Sequence, residues 1–550
     1  METVSFAFAV VGVTESIHKF GKALVNLCRE YKNLEAELDE ILLTVQGLWV
    51  KTEVQVQSLE NLWPSLQPSL QVLYYHILEH LGDKLIITDT SLQAVLRQNL
   101  DTGHMPQKLK VILLKRHLSK TVSDLEEWQR KFDPSWYLIT RLANPEVDRQ
   151  LEHRLPAEPR SAPASPSTRL ARMRNTIQQI AAQEAEPRES MFKDPRPIKE
   201  NMVPIAGTDA YMSTDGAKRL LLDSANLAAA QVSATPNLLA IARHQVRDLA
   251  RLLLHIDPEA FNLLKCEGVI ELAAGTGAQF YLLFEIPPGL SSPRTLRDHL
   301  LALAPNPSLT QRVQLAKQLA RSVMFVHAAG FVHKNIRPET VLIFENKATP
   351  SHPEPTLPPP TPDHHNPNMR TQSDRLGPSF LIGFERFRRA EGHTDRFGDL
   401  AWEKNLYRHP SRQGLQPEDI FEMRHDIYSL GVCLLEIALW RSFVRPDPNT
   451  TDNACFLPSA DLDIGAELKN KDSRAGAFDI KDKLVAMCKD ALPAAVGEQY
   501  TGVVLACICC MDHSEDNLFR YENGMQDRDG IIVGVRYIEN VLLKLEELFL

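Results

Sequence analysis

Apolar residues recur every three or four positions along the start of the chain. The series is Phe6, Val10, Val13, Ile17, Phe20, Leu24, Leu27 and Tyr31, continued by Leu34, Leu38, Ile41, Val45 and Leu48. The same spacing returns further on, at Leu114, Leu118, Val122, Leu125 and Phe132. This period is typical of amphipathic α-helices that share an apolar seam. The pattern therefore predicts a helical bundle over residues 1–150.

The first predicted helix is unusual at its start, because Val4–Val13 is apolar nearly all round. Such a segment is either buried in the centre of a bundle or exposed for a membrane or another protein. Phe6, Val10 and Val13 are the candidate membrane-acting residues. Basic side chains on the helix predicted over Pro106–Phe132 suit acidic lipid head groups, although a solvated basic face is the favoured interpretation. These side chains belong to Lys108, Lys110, Lys115, Arg116 and Lys120.

Proline-rich composition predicts two breaks in the patterned sequence. Residues 151–200 form a linker, since His153–Thr168 carries four prolines among small residues, and Leu170–Ile180 is a candidate brace helix. Residues 345–378 form a disordered insertion around the run Leu357–Pro362.

Strand and helix patterns alternate after residue 200. Lys218–Asp223 reads as a strand, Gly268–Leu272 and Phe280–Ile286 as a hairpin, and Leu239–Leu254 as a helix that precedes the hairpin. A long apolar helical period starts at Leu309 and stops at Gly330. Residues 201–550 are predicted to form an α+β domain with two lobes, about 201–288 and 289–550.

The segment Phe331–Phe344, FVHKNIRPETVLIF, resembles the catalytic loop of a protein kinase. In that family His-Arg-Asp and a later Asn hold the substrate hydroxyl and a metal ion. Here His333-Lys334-Asn335 takes the first position and Thr340 takes the second. An amide cannot accept a proton from a hydroxyl nucleophile, and a single hydroxyl is a poor metal ligand.

Two further segments extend this resemblance. Gly383-Phe384-Glu385 stands where kinases carry Asp-Phe-Gly, so the Mg²⁺ carboxylate is missing. Asp426–Glu436 is similar to the buried long helix of the kinase C-lobe, whose aspartate holds the catalytic-loop backbone in that family. The resemblance implies a pseudokinase fold in which His333, Asp426 and Gly431 keep structural positions, while Asn335, Thr340 and Gly383 are degenerate catalytic positions.

The nucleotide-binding signals are also incomplete. The N-lobe has no Gly-x-Gly-x-x-Gly, and Lys218 is the nearest candidate for the phosphate-pairing lysine. A solvated lysine at a strand edge is the favoured interpretation of Lys218. The resemblance therefore implies no cofactor, or at most weak, metal-independent ATP binding. The enzymatic alternative is a divergent active Ser/Thr kinase that draws carboxylates from Glu385 or Asp395.

The chain resembles the filamentous-fungal HeLo-domain proteins of the prion-inhibition and propagation type. The resemblance depends mostly on three motifs of the kinase-like domain, Leu-Ile-Gly-Phe-Glu, Asn-Leu-Tyr-Arg-His-Pro and His-Asp-Ile-Tyr-Ser-Leu-Gly, and further on the helical bundle with an apolar first helix that precedes it. The order is also similar to that of the mixed-lineage-kinase-like executioner of animal necroptosis. The resemblance implies heterokaryon incompatibility, a form of self/non-self recognition, or regulated cell death. A non-catalytic interaction scaffold is the alternative that needs no membrane action.

Composition narrows the expected partners. The chain has 550 residues, of which 43% are hydrophobic and 24% charged, and this suits a globular protein with more than one core. A net charge of −9 argues against nucleic acid. A protein partner is expected, with an anionic membrane or self-association through the bundle as further candidates.

Cysteine usage and hydropathy predict the compartment. No apolar run reaches the length of a spanning helix, and the eight cysteines lack framework spacing. These features predict a cytoplasmic protein that the plasma membrane recruits if the bundle binds lipid. Cys507, Cys509 and Cys510 are interpreted as buried core thiols and not as a zinc site.

Overall fold

The computed structural model describes most of the chain. The described residues are 2–31, 35–66, 68–101, 107–136, 191–215, 218–225, 236–274, 277–302, 305–346, 376–384, 388–389, 400–414, 417, 419–449, 455–469, 473–520 and 531–548. The chain divides into two compact units, Met1–Asn175 and Thr176–Leu550. The described part is mainly helical, and its strands all lie in the second unit. The prediction of a mainly α protein with a sheet-containing C-terminal half is therefore confirmed.

The described part of the first unit consists of long helices that pack against one another. They are α1 (Glu2–Glu30), α2 (Ala36–Leu62), α3 (Pro68–Asp101) and α4 (Gln107–Trp136). A short 3₁₀ turn at Trp63–Ser65 follows α2. Ile17, Val45 and Leu114 from the predicted seam are fully buried. Burial of each such side chain stabilises the fold by about 1.5–3 kcal/mol, which explains why the apolar period locates these helices.

The start of α1 contributes to the core of this unit. Val10 is only 3% exposed, and Val13 is half-buried, whereas Val11 is 52% exposed. The side chain of Phe6 lies outside the described residues. Among the two interpretations of this segment, burial within the bundle therefore fits Val10.

One of the basic residues on α4 is already paired within the unit. Lys115 Nζ lies 2.8 Å from Glu35 Oε1 and 2.5 Å from Glu37 Oε2. Arg116 and Lys120 are exposed, and the side chains of Lys108 and Lys110 lie outside the described residues. The described basic residues of α4 therefore fit the interpretation of a solvated face, with one lysine paired to acidic side chains of the same unit.

An antiparallel sheet forms the first half of the second unit. Its strands are β1 (Val203–Pro204), β2 (Tyr211–Asp215), β3 (Lys218–Ser224), β4 (Lys265–Ala274) and β5 (Gly277–Glu285), in the order β1-β2-β3-β5-β4. Helices α5 (Arg196–Lys199), α6 (Pro236–Leu253) and α7 (Pro258–Phe261) accompany it, and α6 packs on β4 and β5. The predicted hairpin, strand and helix are confirmed.

The predicted start of the second domain at residue 201 is wrong, because residues 191–200 already pack on this sheet. Phe192 forms a bridge with Val269, whose N–H donates to Met191 O at 2.8 Å. Ile198 is buried in the core cluster of the sheet, and its carbonyl accepts a bond from Ser213 Oγ. The rest of the predicted linker, residues 151–190 with the brace helix, lies outside the described residues.

The second half of this unit is mostly helical. Its helices are α8 (Leu296–Leu301), α9 (Leu309–Ala328), α10 (Trp402–Asn405), α11 (Met423–Leu439), α12 (Ser473–Val496), α13 (Glu498–Ile508) and α14 (Ile531–Tyr537), and the chain continues through a π turn (Ile538–Leu542) into α15 (Leu543–Glu546). Short 3₁₀ turns lie at Pro338–Thr340, Pro410–Arg412 and Glu467–Lys469. Helix α11 is buried along most of its length and packs on α9, α12 and α13.

Short strands complete this half. They are β6 (Leu290–Thr295), β7 (Phe331–Val332), β8 (Val341–Asn346), β9 (Ser379–Leu381), β10 (Arg388–Arg389), β11 (Val444–Pro446) and β12 (Phe456–Pro458). Strands β6, β8 and β9 form one sheet, and β7 pairs with β10. Most of the predicted insertion, residues 347–375, lies outside the described residues.

The described cysteines include buried thiols. Cys507 and Cys510 are fully buried, Cys509 is half-buried, and burial raises the pKa of the Cys507 thiol. None of the helices described here is both long enough and apolar enough to cross a membrane.

Candidate functional site

The loop after β7 is fixed by a buried carboxylate at the start of α11. Asp426 is fully buried, and its Oδ2 accepts the backbone N–H of His333 at 2.7 Å. Its Oδ1 accepts the N–H of Lys334 at 2.8 Å, where the backbone has a φ of +67°. His327 Nε2 lies 3.2 Å from Oδ2. This is the contact with the loop that the kinase resemblance implies for Asp426.

The predicted degenerate positions lie together, and their polar groups hold the loop itself. Asn335 Nδ2 donates to Gly383 O at 3.2 Å, and Asn335 Oδ1 accepts from Arg337 Nε at 2.9 Å. Thr340 Oγ1 lies 2.8 Å from Asn335 O and 2.9 Å from Arg337 O. The amide and the hydroxyl therefore stabilise the loop itself.

Glycine at position 383 is required by its surroundings. Its φ is +87°, a left-handed conformation that side chains disfavour. A Cβ at this position would clash with Thr340 Cγ2 and would lie 3.1 Å from Asn335 Nδ2. A side chain at position 383 therefore cannot be accommodated without moving Thr340.

The structure adds a residue that the sequence reasoning missed. Asp223, near the end of β3, is 3% exposed, and its Oδ2 accepts the N–H groups of Gly383 at 2.8 Å and Phe384 at 3.0 Å. An acid that ends the apolar run Leu220–Leu222 is the only local signal, because a buried carboxylate requires hydrogen-bond donors. Its partners lie 160 positions away in sequence.

Little space remains between the sheet and the loop. The residues that line it are Thr208, Asp209, Asp223, Ser224, Asn335, Arg337, Glu339, Thr340, Ile382 and Gly383. The cavity has a volume of about 20 Å³, which is on the order of one water molecule. Acidic side chains outnumber basic ones among these lining residues, and a negative lining disfavours anionic groups.

Lys218 lies away from this site. Its side chain is 53% exposed at the other end of β3 and pairs with Glu267 at 3.2 Å. The solvated strand-edge interpretation therefore fits Lys218. Glu385 and Asp395, the carboxylates that an active kinase would need, lie outside the described residues.

The two remaining structural positions have packing roles. The His333 ring is buried against Phe384, with 4.8 Å between ring centroids. Gly431 lets α11 approach α13 closely, because a Cβ there would lie 2.8 Å from Cys507 Cβ and 3.0 Å from the backbone nitrogen of Ile508.

A buried charge network borders the site through Glu339. Arg297, on α8, donates from Nε to Glu339 Oε1 at 3.2 Å and from Nη1 to Glu436 Oε1 at 2.9 Å. Its Nη2 donates to the hydroxyl of Tyr407 at 2.5 Å, and that hydroxyl donates to Glu436 Oε2 at 2.8 Å. The network joins α8, the loop, the segment before α11 and α11 itself.

We expect acid to lower the free energy of unfolding of the second unit, because two of its histidines are buried. Burial lowers the pKa of His333 and of His409 from 6.5 to about 4. The unfolded chain therefore takes up protons near pH 6.5, whereas the folded protein resists them until about pH 4. The contribution of these histidines to the free energy of unfolding is therefore complete above pH 6.5 and is lost as the pH drops from 6.5 towards 4. For each histidine the loss is about 1.4 kcal/mol per unit of difference between its unfolded and folded pKa.

The measurement is the melting temperature between pH 8 and pH 4.5, with His409→Asn as the matched variant. An asparagine oxygen can replace His409 Nδ1, which accepts the N–H of Ser411. The variant is expected to lose less stability on acidification than the wild type. Equal pH slopes for both proteins would contradict the prediction.

No protein-family model matches this chain, and no curated protein is detectably similar to it. Its function is therefore inferred from the geometry of the site.

Proposed function

We propose that the second unit is a protein-kinase-like module that does not transfer phosphate and that serves recognition or regulation in a signalling protein. The observation that carries this proposal is the Asp223 carboxylate, which accepts the backbone N–H groups of Gly383 and Phe384. In a kinase this region holds the metal ion and the nucleotide phosphates.

The topology supports the kinase-like part of the proposal. The antiparallel sheet has the order β1-β2-β3-β5-β4, with helix α6 between β3 and β4 in sequence, and a helical region follows. The loop around His333 is tied to the buried helix α11 through Asp426. These are the parts that kinases use to place their catalytic groups.

The charges and the volume of the site support the non-catalytic part. Kinases carry a phosphate-pairing lysine on the third strand, whereas β3 here presents Asp223 to the site. A carboxylate repels a phosphate group, and a cavity of about 20 Å³ leaves no room for one. Asn335, Thr340 and Gly383 also lack the base and the metal ligands of the reaction.

The experiment combines thermal-shift titration of the whole chain with ATP, with and without Mg²⁺, and an assay for transfer from radiolabelled ATP. We expect no Mg²⁺-dependent stabilisation and no label on the protein or on generic substrates. Asn335→Asp alone is expected to remain inactive, because Gly383 still supplies no metal ligand.

Label transfer that persists in pure wild-type protein and disappears in Asn335→Ala would overturn the proposal. Stabilisation by ATP without Mg²⁺ would contradict the closed cleft while leaving the lack of catalysis intact.

For the helical bundle, we assign an interaction role with a protein partner or a second copy of the chain. The burial of Val10 and the pairing of Lys115 with Glu35 and Glu37 favour this role over membrane insertion. Self/non-self recognition or regulated cell death is the biological setting that the HeLo resemblance implies.

A further inference from the structure

Two buried histidines lie side by side where the turn Pro410–Arg412 meets the start of α11. The ring centroids of His409 and His425 are 6.1 Å apart, and the two residues are 5% and 1% exposed. The other rings packed against the pair are those of Phe421, Tyr428 and Phe478. The pair therefore lies in an apolar, aromatic environment that disfavours a charged imidazole.

The hydrogen bonds of the pair show which ring nitrogen carries the proton. His409 Nδ1 accepts the N–H of Ser411 at 3.3 Å, and His425 Nδ1 accepts the N–H of Glu422 at 2.9 Å. A neutral imidazole has one N–H and one acceptor nitrogen, so both rings carry their proton on Nε2. The first bond caps the turn Pro410–Arg412, and the second belongs to the capping box of α11.

A second proton on either ring has to bind at Nδ1, the nitrogen that accepts the backbone N–H. Two hydrogens would then face each other, so the bond breaks and the backbone donor is left unpaired. Protonated His409 could donate to Ser411 Oγ, which lies 2.9 Å from Nδ1, but the N–H of Ser411 would still lose its acceptor. Nε2 of both rings is buried and makes no hydrogen bond to the residues that the structure describes, so the added charge finds no acceptor there.

The charged groups around the pair do not compensate a positive imidazole. They are Arg412 in the turn, Asp419, Glu422 and Arg424 at the start of α11, Lys481 on α12, and Asp512 after α13. Two of the acids are already paired, Asp512 with Lys481 and Glu422 with Arg424. Burial, followed by Lys481, lowers the pKa of His409 to about 4, and burial, followed by His409 and Arg412, holds the pKa of His425 well below 6.5.

We propose that His409 and His425 form a proton-operated clasp, which holds the turn Pro410–Arg412 to the start of α11 at neutral pH and opens locally in mild acid, before the rest of the second unit unfolds. Opening exposes both imidazoles, which then take up protons as ordinary histidines do near pH 6.5. Because each proton breaks one bond of the clasp, the two protons act in the same direction. Asp426, which follows His425 directly, holds the loop after β7, so the clasp lies next to the candidate site.

Hydrogen–deuterium exchange of the whole chain between pH 7.5 and pH 5, followed by mass spectrometry and corrected for the intrinsic pH dependence of amide exchange, tests the clasp. The amides of Ser411 and Glu422 are expected to open more often as the pH falls. Their opening constant should rise by up to about tenfold per pH unit for each proton taken up, and so by up to about a hundredfold for the pair. Helix α9 should stay protected over the same range, because the opening is local.

His409→Asn and His425→Gln replace the titrating rings by neutral amides whose oxygens can accept the same N–H groups, glutamine being usual at the third position of a capping box. Each variant is expected to reduce the pH response from about a hundredfold to about tenfold per unit, and the double variant to abolish it. His244→Asn is the matched control, because His244 is exposed on α6.

A pH response that the double variant retains overturns the proposal, and so does loss of protection in α9 at the same pH as at Ser411 and Glu422. The wild type alone is also decisive, since corrected exchange at these two amides that does not change with pH refutes the clasp even if a variant fails to fold.

Discussion

Asp426→Ala is expected to unfold the second unit of the chain. The substitution removes the acceptor of two backbone N–H groups, at His333 and Lys334, in a position with no exposure to water. Each buried donor left unpaired costs about 1–3 kcal/mol, and the contact between Asp426 Oδ2 and His327 Nε2 is lost as well. The sum is a large share of the roughly 5–15 kcal/mol that stabilises a domain.

The measurement is thermal unfolding by circular dichroism together with limited proteolysis of the whole chain. Asp461→Ala is the control, since the pair of Asp461 with Arg441 is exposed and such pairs contribute about 0–1 kcal/mol. Asp426→Asn is expected to be intermediate, because an amide oxygen can accept one of the two N–H bonds but the amide nitrogen cannot accept the other. Wild-type stability in Asp426→Ala would mean that the carboxylate does not hold the loop.

Periodic segments with strong local signals were predictable from the sequence. The apolar period after Leu309 locates α9, and the hairpin of β4 and β5 follows from two apolar runs joined by a short glycine-containing turn. Helix α3 carries a readable period as well, with Leu73, Ile77, Leu81 and Leu85 all buried, although the prediction did not use it. In these cases residues that are close in sequence determine where the helix or strand forms.

Features that depend on distant partners were not predictable in this way. Residues 191–200 have the prolines of a linker, yet Phe192 and Ile198 find their partners on the sheet, at Val269 and in its core. The role of Asp223 depends on N–H groups far away in sequence.

The kinase resemblance grouped Asn335, Thr340 and Gly383 into one predicted site, and the structure adds contacts that the motif does not contain. Asn335, Thr340 and Gly383 lie together as the motif implies. The sequence alone could not tell that the polar groups of Asn335 and Thr340 bond to the loop itself. Nor could it tell that an acid from β3 closes the site, because those facts depend on side-chain geometry.

Arg297→Ala is expected to destabilise the second unit by about 3–5 kcal/mol, since removal of one partner of a buried ion pair leaves the other charge uncompensated. The charge left behind is that of Glu436, which is fully buried and also accepts the N–H of Phe443 at 2.7 Å. Arg441→Ala is the matched control, because that arginine is 63% exposed and pairs only at the surface. Chemical unfolding of both variants measures the difference.

The pH dependence of this loss tests its cause. Burial already raises the pKa of the Glu436 carboxyl, while Arg297 opposes the rise, so loss of the arginine should raise the pKa further. An acid whose folded pKa lies above its unfolded value favours the folded state below the unfolded pKa, near 4.5, and this contribution is lost as the pH rises through the folded pKa. Arg297→Ala should therefore be less destabilised at pH 5 than at pH 8. Glu436→Gln added to the variant should remove most of that difference, because it removes the titrating group. A loss that is equal at both pH values would point to lost packing, and not to an uncompensated charge, as the role of Arg297.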